Sequence, residues 1–405
     1  MRSPGAIEAP GNFRLQGAQR MDSSSRPKWM NIGAQMHDHV MHLTGLPARQ
    51  FYFHAPTIVE AFAEVAAYYQ MDYFRAVGDS YNFEVEAMGA KMVYSDHAMP
   101  TVDFRDPLVK EPSDLLKLKP PDFLKDGRLP FALDCMRLSA QRSGAPSGSF
   151  CAPFSMAVAM RGYPALVKDI RRRPGFYRNL MDFIADRVVI PYLKVQHEHA
   201  GIVFSGGANA WATVPNLSPA ELTECSVPWS RRVIEAAAAF GVTANGGEGS
   251  YNADPSERFD PRVLHESFDV QVASAGAPRL ALGGGLWHEY PLESVRDYTA
   301  KYRARGIKVL IAASINARLL RDGPVERIVD LVKRYIKAFA WDHELVMSIA
   351  NIPADTPSDH VHAAVAAVHT YGQLPLPDDP DDIDAVQFAA PRRESFTEWR
   401  ARQSR

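Results

Sequence analysis

Cysteine is scarce in this chain. Cys135, Cys151 and Cys225 are the only three among 405 residues. They form no CxxC pair, and their odd number argues against a disulfide framework, so a reducing cytoplasm is the expected compartment. Long apolar runs are lacking too. None approaches the roughly 20 residues that cross a bilayer, and MRSPGAIEAPGNFRLQGAQR at the start lacks the apolar centre of a signal peptide. Nor is there an excess of one charge. Forty-five basic and 47 acidic residues leave a formal net charge of −2, which gives no global field for nucleic acid or an anionic membrane. Local clusters such as Arg171, Arg172 and Arg173 read as solvated surface, since charge runs are rarely buried. Short catalytic signatures are missing as well. No G-x-S-x-G elbow supports a hydrolase triad, and the GGG at 283–285 lacks the spacing of a phosphate loop.

Apolar residues, by contrast, make up 46% of the chain, enough to bury a large core, and they come in a regular order. Eight short runs end in small or polar residues: KWMNIGA (28–34), DYFRAVGD (72–79), GSFCAPF (148–154), GIVFSGG (201–207), GVTANGG (241–247), RLALGGG (279–285), KVLIAAS (308–314) and LVMSIAN (345–351). Helical stretches separate most of them, and a crossover helix is what lets successive strands pair in parallel. The pattern predicts an α/β fold, a single (β/α)8 TIM barrel with N-terminal helical elaborations. In such a barrel the chemistry sits at the C-terminal strand ends. Residues 1–26 read as a flexible tail, 27–373 as the barrel, and 374–405 as an acidic, proline-rich linker with a basic tail. TIVEAFAEVAAYY predicts a helix, and 100–147 an irregular excursion with a helix over one end of the barrel. Ser218 and Glu221 have the spacing of a capping box. FDVQVASAG (268–276) reads as the end of a helix rather than a ninth strand.

These strand ends gather a candidate site. Asn31 and Gln35 follow the first run; Asp79, Tyr81, Asn82, Glu84 and Glu86 the second; Phe154 and Ser155 the third; Ser205, Asn209 and Trp211 the fourth. Asn245 and Glu248 follow the fifth, Trp287, His288 and Glu289 the sixth, Ser314 and Asn316 the seventh, and Asn351 the eighth. Asp79 stands out. A carboxylate just past an apolar run is partly desolvated, which raises its pKa and suits it to binding N–H groups or moving a proton. The alternative is a helix cap on NFEVEAMG. His288 and Glu289 suit metal binding or acid–base work, or else belong to an ordinary surface loop. HDHVMH, with His37, Asp38, His39 and His42, looks like a metal motif but lacks H-E-x-x-H. His360, His362 and His369 read as surface or packing residues of the last helix.

APFSMAVAMRGYPALVKDIRRRPGFYRNLMDF, LSPAELTECSVPWSRRVIEA and IPADTPSDHVHAAVAAVHTYG resemble stretches of the uroporphyrinogen decarboxylase superfamily. That superfamily includes the MtaA/CmuA-type cobamide-dependent methyltransferases, and the resemblance spans about residues 27–373. NFEVEAMGAKM and SINARLLRDGPVERI lean towards the methyltransferase branch. The resemblance implies a (β/α)8 barrel, but the family's site residues carry over unevenly. The decarboxylase M-R-Q-A-G-R motif falls on WMNIGAQ, with neutral Asn31 and Gln35 where arginines would bind carboxylates. This argues against uroporphyrinogen itself. The aspartate of F-S-D, which holds pyrrole N–H groups, matches Asp79. The family tyrosine falls on Ala159 and the histidine before the final helix on Ile349. The methyltransferase zinc ligands fall on Thr243, Asn245 and Ala350, none of which supplies thiolate or imidazole. Zinc would therefore need a rearranged site, with Glu248 and His288 as its ligands.

Three functions follow from the resemblance. The leading expectation is a methyltransferase or demethylase that passes the methyl of a small methylated substrate to a cobamide or thiol. A cobamide would arrive on a partner corrinoid protein, because no D-x-H-x-x-G signature is present. The second is a cofactor-free carboxy-lyase acting on a small aromatic or heteroaromatic acid, in which Asp79 stabilises the protonated ring while carbon dioxide leaves. Asp79, His288 and Glu289 are the expected catalytic residues of the enzyme. The third is a non-catalytic ligand-binding barrel. The apolar content allows a homodimer.

Overall fold

The computed structural model describes residues 28–76, 79, 81–144, 146–252, 260–282, 290–391 and 394–403. Its barrel strands are β1 (Ile32–Ala34), β4 (Ser147–Cys151), β5 (Phe204–Ala208), β7 (Thr243–Asn245), β9 (Arg279–Leu282), β10 (Leu310–Ile315) and β11 (Glu344–Ile349). They pair in parallel as two arcs, β4–β5–β7 and β9–β10–β11–β1. The extended segment 72–76 lies beside β1, where Asp72 N donates to Ile32 O at 2.9 Å. With it, the strands follow the order of the eight apolar runs, an α/β fold of the (β/α)8 type. Two small additions decorate the frame: the antiparallel pair β2 (Met92–Val93) and β3 (Thr101–Val102), and the parallel pair β6 (Thr213–Val214) and β8 (Ser250–Tyr251).

Side-chain parity along the strands separates two environments. Leu280, Ile311, Ala313, Met347 and Ile349 face the outer helices and are buried. Their inward neighbours Ala281, Ala312 and Ser348 are small and keep accessible surface, and inward Val346 is 37% exposed. The interior of a (β/α)8 barrel is usually filled by bulky branched residues. Here it is open.

The outer layer follows from amphipathic helices. In Val325–Phe339, Ile328, Leu331, Val332, Tyr335, Ile336 and Phe339 recur at three- and four-residue spacing and are all buried. The helix Pro261–Ala275 takes up residues 268–275 and is capped by Gly276, so FDVQVASAG is the end of a helix, as the sequence predicts. Ser218 and Glu221 form the capping box: Glu221 N donates to Ser218 Oγ at 3.2 Å and Ser218 N to Glu221 Oε2 at 3.0 Å.

The C-terminal region differs from its reading as linker and tail. Gln373 bridges Trp29, Lys333 pairs with Asp384 at 2.9 Å, and the helix Phe396–Gln403 docks on the helix Ala55–Tyr69. Phe396 is buried with its ring 5.3 Å from that of Tyr68. The acidic stretch is held by lysines and the last helix carries an aromatic anchor, so much of this stretch packs onto the barrel. Residues 1–26 lie outside the described residues. Among the described residues no helix is long and apolar enough to cross a membrane.

Candidate active site

Asp79 ends the second barrel segment and is 1% exposed. Its Oδ2 accepts from Arg128 Nη2 at 2.8 Å, while its Oδ1 is buried with no hydrogen-bond partner among the described residues. It is not a helix cap. The helix Phe83–Ala87 starts on Asn82, and Asp79 gives that turn only its backbone oxygen, 3.1 Å from Asn82 N. Burial pushes the Asp79 carboxyl up to about 7. Arg128 pulls it down, and Glu86 and Glu84 push it up. One oxygen is thus fixed and the other is left as a desolvated acceptor, an arrangement that suits an N–H donor or a proton.

Arg128 was not visible as a site residue in the sequence. It precedes the helix Leu129–Ser143 and reaches back to Asp79 and to Glu86, whose Oε2 accepts from its Nε at 2.7 Å. Its guanidinium lies 5.2 Å from the Phe53 ring and 5.1 Å from the Phe83 ring, an aromatic lining that suits a delocalised cation. Asp38 and Tyr52 belong to the same region. The Asp38 Oδ1 and Tyr52 Oη atoms are buried without hydrogen-bond partners among the described residues. Burial, with the charges of Asp38 and Asp79, holds the Tyr52 phenol protonated. The signal for both was present in the sequence, since they lie in the segment that follows the first barrel strand.

Two further carboxyls serve the frame. Glu84 is fully buried, and its Oε1 accepts from Cys151 N at 2.8 Å. This ties the second loop to the end of β4. Burial pushes its carboxyl up to about 7, and the Cys151 N–H opposes that rise. Glu248 Oε1 accepts from Asn209 Nδ2 at 2.9 Å, from Ser226 Oγ at 3.1 Å and from Ser230 Oγ. Burial raises its pKa, and the Ser230 hydroxyl leads the opposing contributions.

The remaining candidates divide. Gln35 is exposed at the C-terminal end of β1, and Asn245 faces inward at the end of β7, half-buried. Tyr81 is also half-buried, with burial pushing its phenol up to about 12. Trp211 stacks on Tyr163 with ring centroids 5.2 Å apart. Asn209 positions Ser155, accepting its hydroxyl at 2.9 Å. Five expectations are corrected. Asn31 sits before β1, at the opposite end from the mouth, because that strand starts at Ile32. Ser205 points outward, donating to Gln196 Oε1 at 2.9 Å. Asn82 donates to Pro100 O at 2.8 Å. Asn316 caps the helix Ala317–Asp322 by accepting from Leu319 N at 2.8 Å. Phe154 is fully buried core. Trp287, His288 and Glu289 lie outside the described residues.

Of the two expected zinc ligands, Glu248 and His288, the second lies outside the described residues. Thr243 and Asn245 stand on β7 and Ala350 just past β11, and the Oε1 of Glu248 is taken by an amide and two hydroxyls. Among the described residues no group of three His, Cys, Asp or Glu is placed to hold a metal. His39 is taken by Tyr69 Oη at 2.6 Å and Ala354 O at 3.1 Å, and burial lowers its pKa to about 4. These residues do not fit zinc.

Comparison with known proteins gives the family. The model described as uroporphyrinogen decarboxylase (URO-D) matches residues 15–266. A uroporphyrinogen decarboxylase of Syntrophotalea carbinolica is 30% identical over 167 residues, 39% of this chain and 46% of that protein. The match therefore spans under half the length of that relative. A methyltransferase from Methanosarcina mazei superposes with a TM-score of 0.65 at 15% identity, covering 85% of this chain and 94% of that one, which is a likeness of fold. With well over half of its length matched by the family model, the chain belongs to the uroporphyrinogen decarboxylase family.

Proposed function

We propose that the protein is a carboxy-lyase that decarboxylates a small heteroaromatic acid without a bound cofactor. One observation carries this reading: the buried Oδ1 of Asp79, which has no partner among the described residues, beside an Oδ2 pinned by Arg128. A buried acceptor left unpaired costs about 1–3 kcal/mol, and a ring N–H restores the missing bond. In the reaction a ring carbon takes up a proton and the positive charge spreads to the ring nitrogen, facing Asp79. The bond to the carboxylate then breaks, its electron pair returns to the ring, and carbon dioxide leaves. The net change is one proton consumed and one carbon dioxide released. Fixed in advance, the carboxylate stabilises the cationic intermediate more than the neutral substrate, which is the requirement for catalysis.

Methyl transfer to a cobamide or thiol draws on the fold shared with the Methanosarcina methyltransferase. It would need zinc donors that Thr243, Asn245 and Ala350 do not supply.

The test is carbon dioxide release from pyrrole-, indole- and imidazole-carboxylic acids by the wild type and by Asp79→Asn. Release from at least one acid, reduced about 100-fold or more in the variant, supports the reading. No release from any of them at stoichiometric enzyme counts against it.

A further inference from the structure

Two arginines turn into the barrel, and one of them, Arg279, lies within the influence of a carboxylate, Glu344. Arg279 opens β9 on the inward parity, since its neighbour Leu280 is buried against the helices. Leu310 pairs with both Arg279 and Glu344, so these two opposite charges flank one position of β10. The attraction of Glu344 acts on Arg279. Arg75 belongs to the segment 72–76, where Phe74 and Ala76 are buried and Tyr73 turns inward. A Cβ on Gly33 would collide with the Tyr73 ring. Parity therefore sends Arg75 inward too. It arrives there: its Nη1 lies 3.8 Å from where a Cβ on Gly206 would stand. Gly206 faces inward because its neighbour Ser205 is bonded outward to Gln196.

Arg75 is nevertheless accessible, because small residues at the inward positions of the neighbouring strands leave the lumen open. It has no hydrogen bond or ion pair with a described residue. Arg279 lies close enough to feel its charge, for burial and then Arg75 lower the pKa of Arg279. Within the described strands Arg279 has Glu344 flanking the same β10 position, whereas Arg75 has no strand carboxylate bonded to it; Asp79, further along its own segment, is held by Arg128 instead.

We propose that Arg75 is the seat of a carboxylate on the ligand that enters this barrel. A guanidinium presents two parallel N–H groups to a planar carboxylate, and such charge-assisted pairs gain strength where water is scarce. The inference does not depend on the reaction, because an acid that is decarboxylated at Asp79 and one that is not would use the same seat.

The experiment is calorimetric titration of the wild type, Arg75→Met and Gly206→Asp with benzoate, its neutral isostere benzamide, and inorganic phosphate. Wild type should bind benzoate at least about tenfold more tightly than benzamide, the loss expected when a hydrogen-bonded charge has no partner. Arg75→Met should lose that preference without a change in unfolding midpoint, since Arg75 gives up no internal bond to a described residue. Gly206→Asp keeps Arg75 but sets a carboxylate beside it, and should abolish benzoate binding by occupying the seat from within. This second variant keeps the test valid if Arg75→Met fails to fold. The proposal is overturned if wild type does not prefer benzoate to benzamide, if either folded variant binds benzoate like wild type, or if phosphate binds more tightly than benzoate.

Discussion

Arg128 grips Asp79 through one oxygen, 2.8 Å from its Nη2, and leaves the other to whatever enters the barrel. The same guanidinium holds Glu86 at 2.7 Å, so one cation balances two carboxylates. Removing it strands both. Arg128→Met should destabilise the fold by about 3–5 kcal/mol, the usual cost of breaking a buried ion pair from one side. It should also move the acid limb of activity to higher pH, because Arg128 is what restrains the Asp79 carboxyl. Denaturant unfolding and a pH–rate profile of the variant check the two effects separately.

The pH dependence follows from Asp79 itself. Binding of a ring N–H and stabilisation of a ring cation need the ionised form, and burial places the carboxyl at about 7. The profile of kcat/KM should therefore rise through about pH 7 and level off above it. In Asp79→Asn the residual rate should show no such limb.

Stability runs the other way. Asp79 and Glu84 are both pushed up to about 7 in the folded chain, whereas free carboxyls titrate near 4. The folded state holds these protons more tightly than the unfolded one. Their stabilising contribution is complete below about pH 4 and is lost as the pH rises through about 7. Glu84→Gln keeps an acceptor for Cys151 N and removes one of the two titrations. Unfolding midpoints measured between about pH 4 and 8 should decline less steeply in that variant.

The docked C-terminus makes a fourth prediction. Phe396 is 4% exposed against Tyr68 and Trp399, so Phe396→Ala should cost about 3–5 kcal/mol. An exposed tail would lose nothing, and thermal unfolding distinguishes the two.

What was legible in the sequence is what depends on local pattern. Parallel strands covered by helices outside and lined by small residues inside produce apolar runs, so the barrel could be read, and Asp79 stands out as a carboxylate just past one of them. Arg128 could not be read. It meets Asp79 across 49 residues, and no local rule links the two. Position at a strand end was too coarse a criterion for Ser205, whose parity points it outward, and for Asn82 and Asn316, which serve a loop oxygen and a helix start. An apolar run does not mark where its strand begins: Asn31 lies inside the first run but ahead of Ile32, the first strand residue. Arg75 lay unnoticed inside an apolar run, although strand parity alone puts it on the inner face.

The most direct test of the account is single-turnover release of carbon dioxide from pyrrole-2-carboxylate, with zinc content determined on the same preparations of wild type and Asp79→Asn. The account predicts release by the wild type, loss in the variant, and zinc far below one atom per chain in both. Near-stoichiometric zinc in the wild type, with no carbon dioxide released, would contradict it and return methyl transfer to the front.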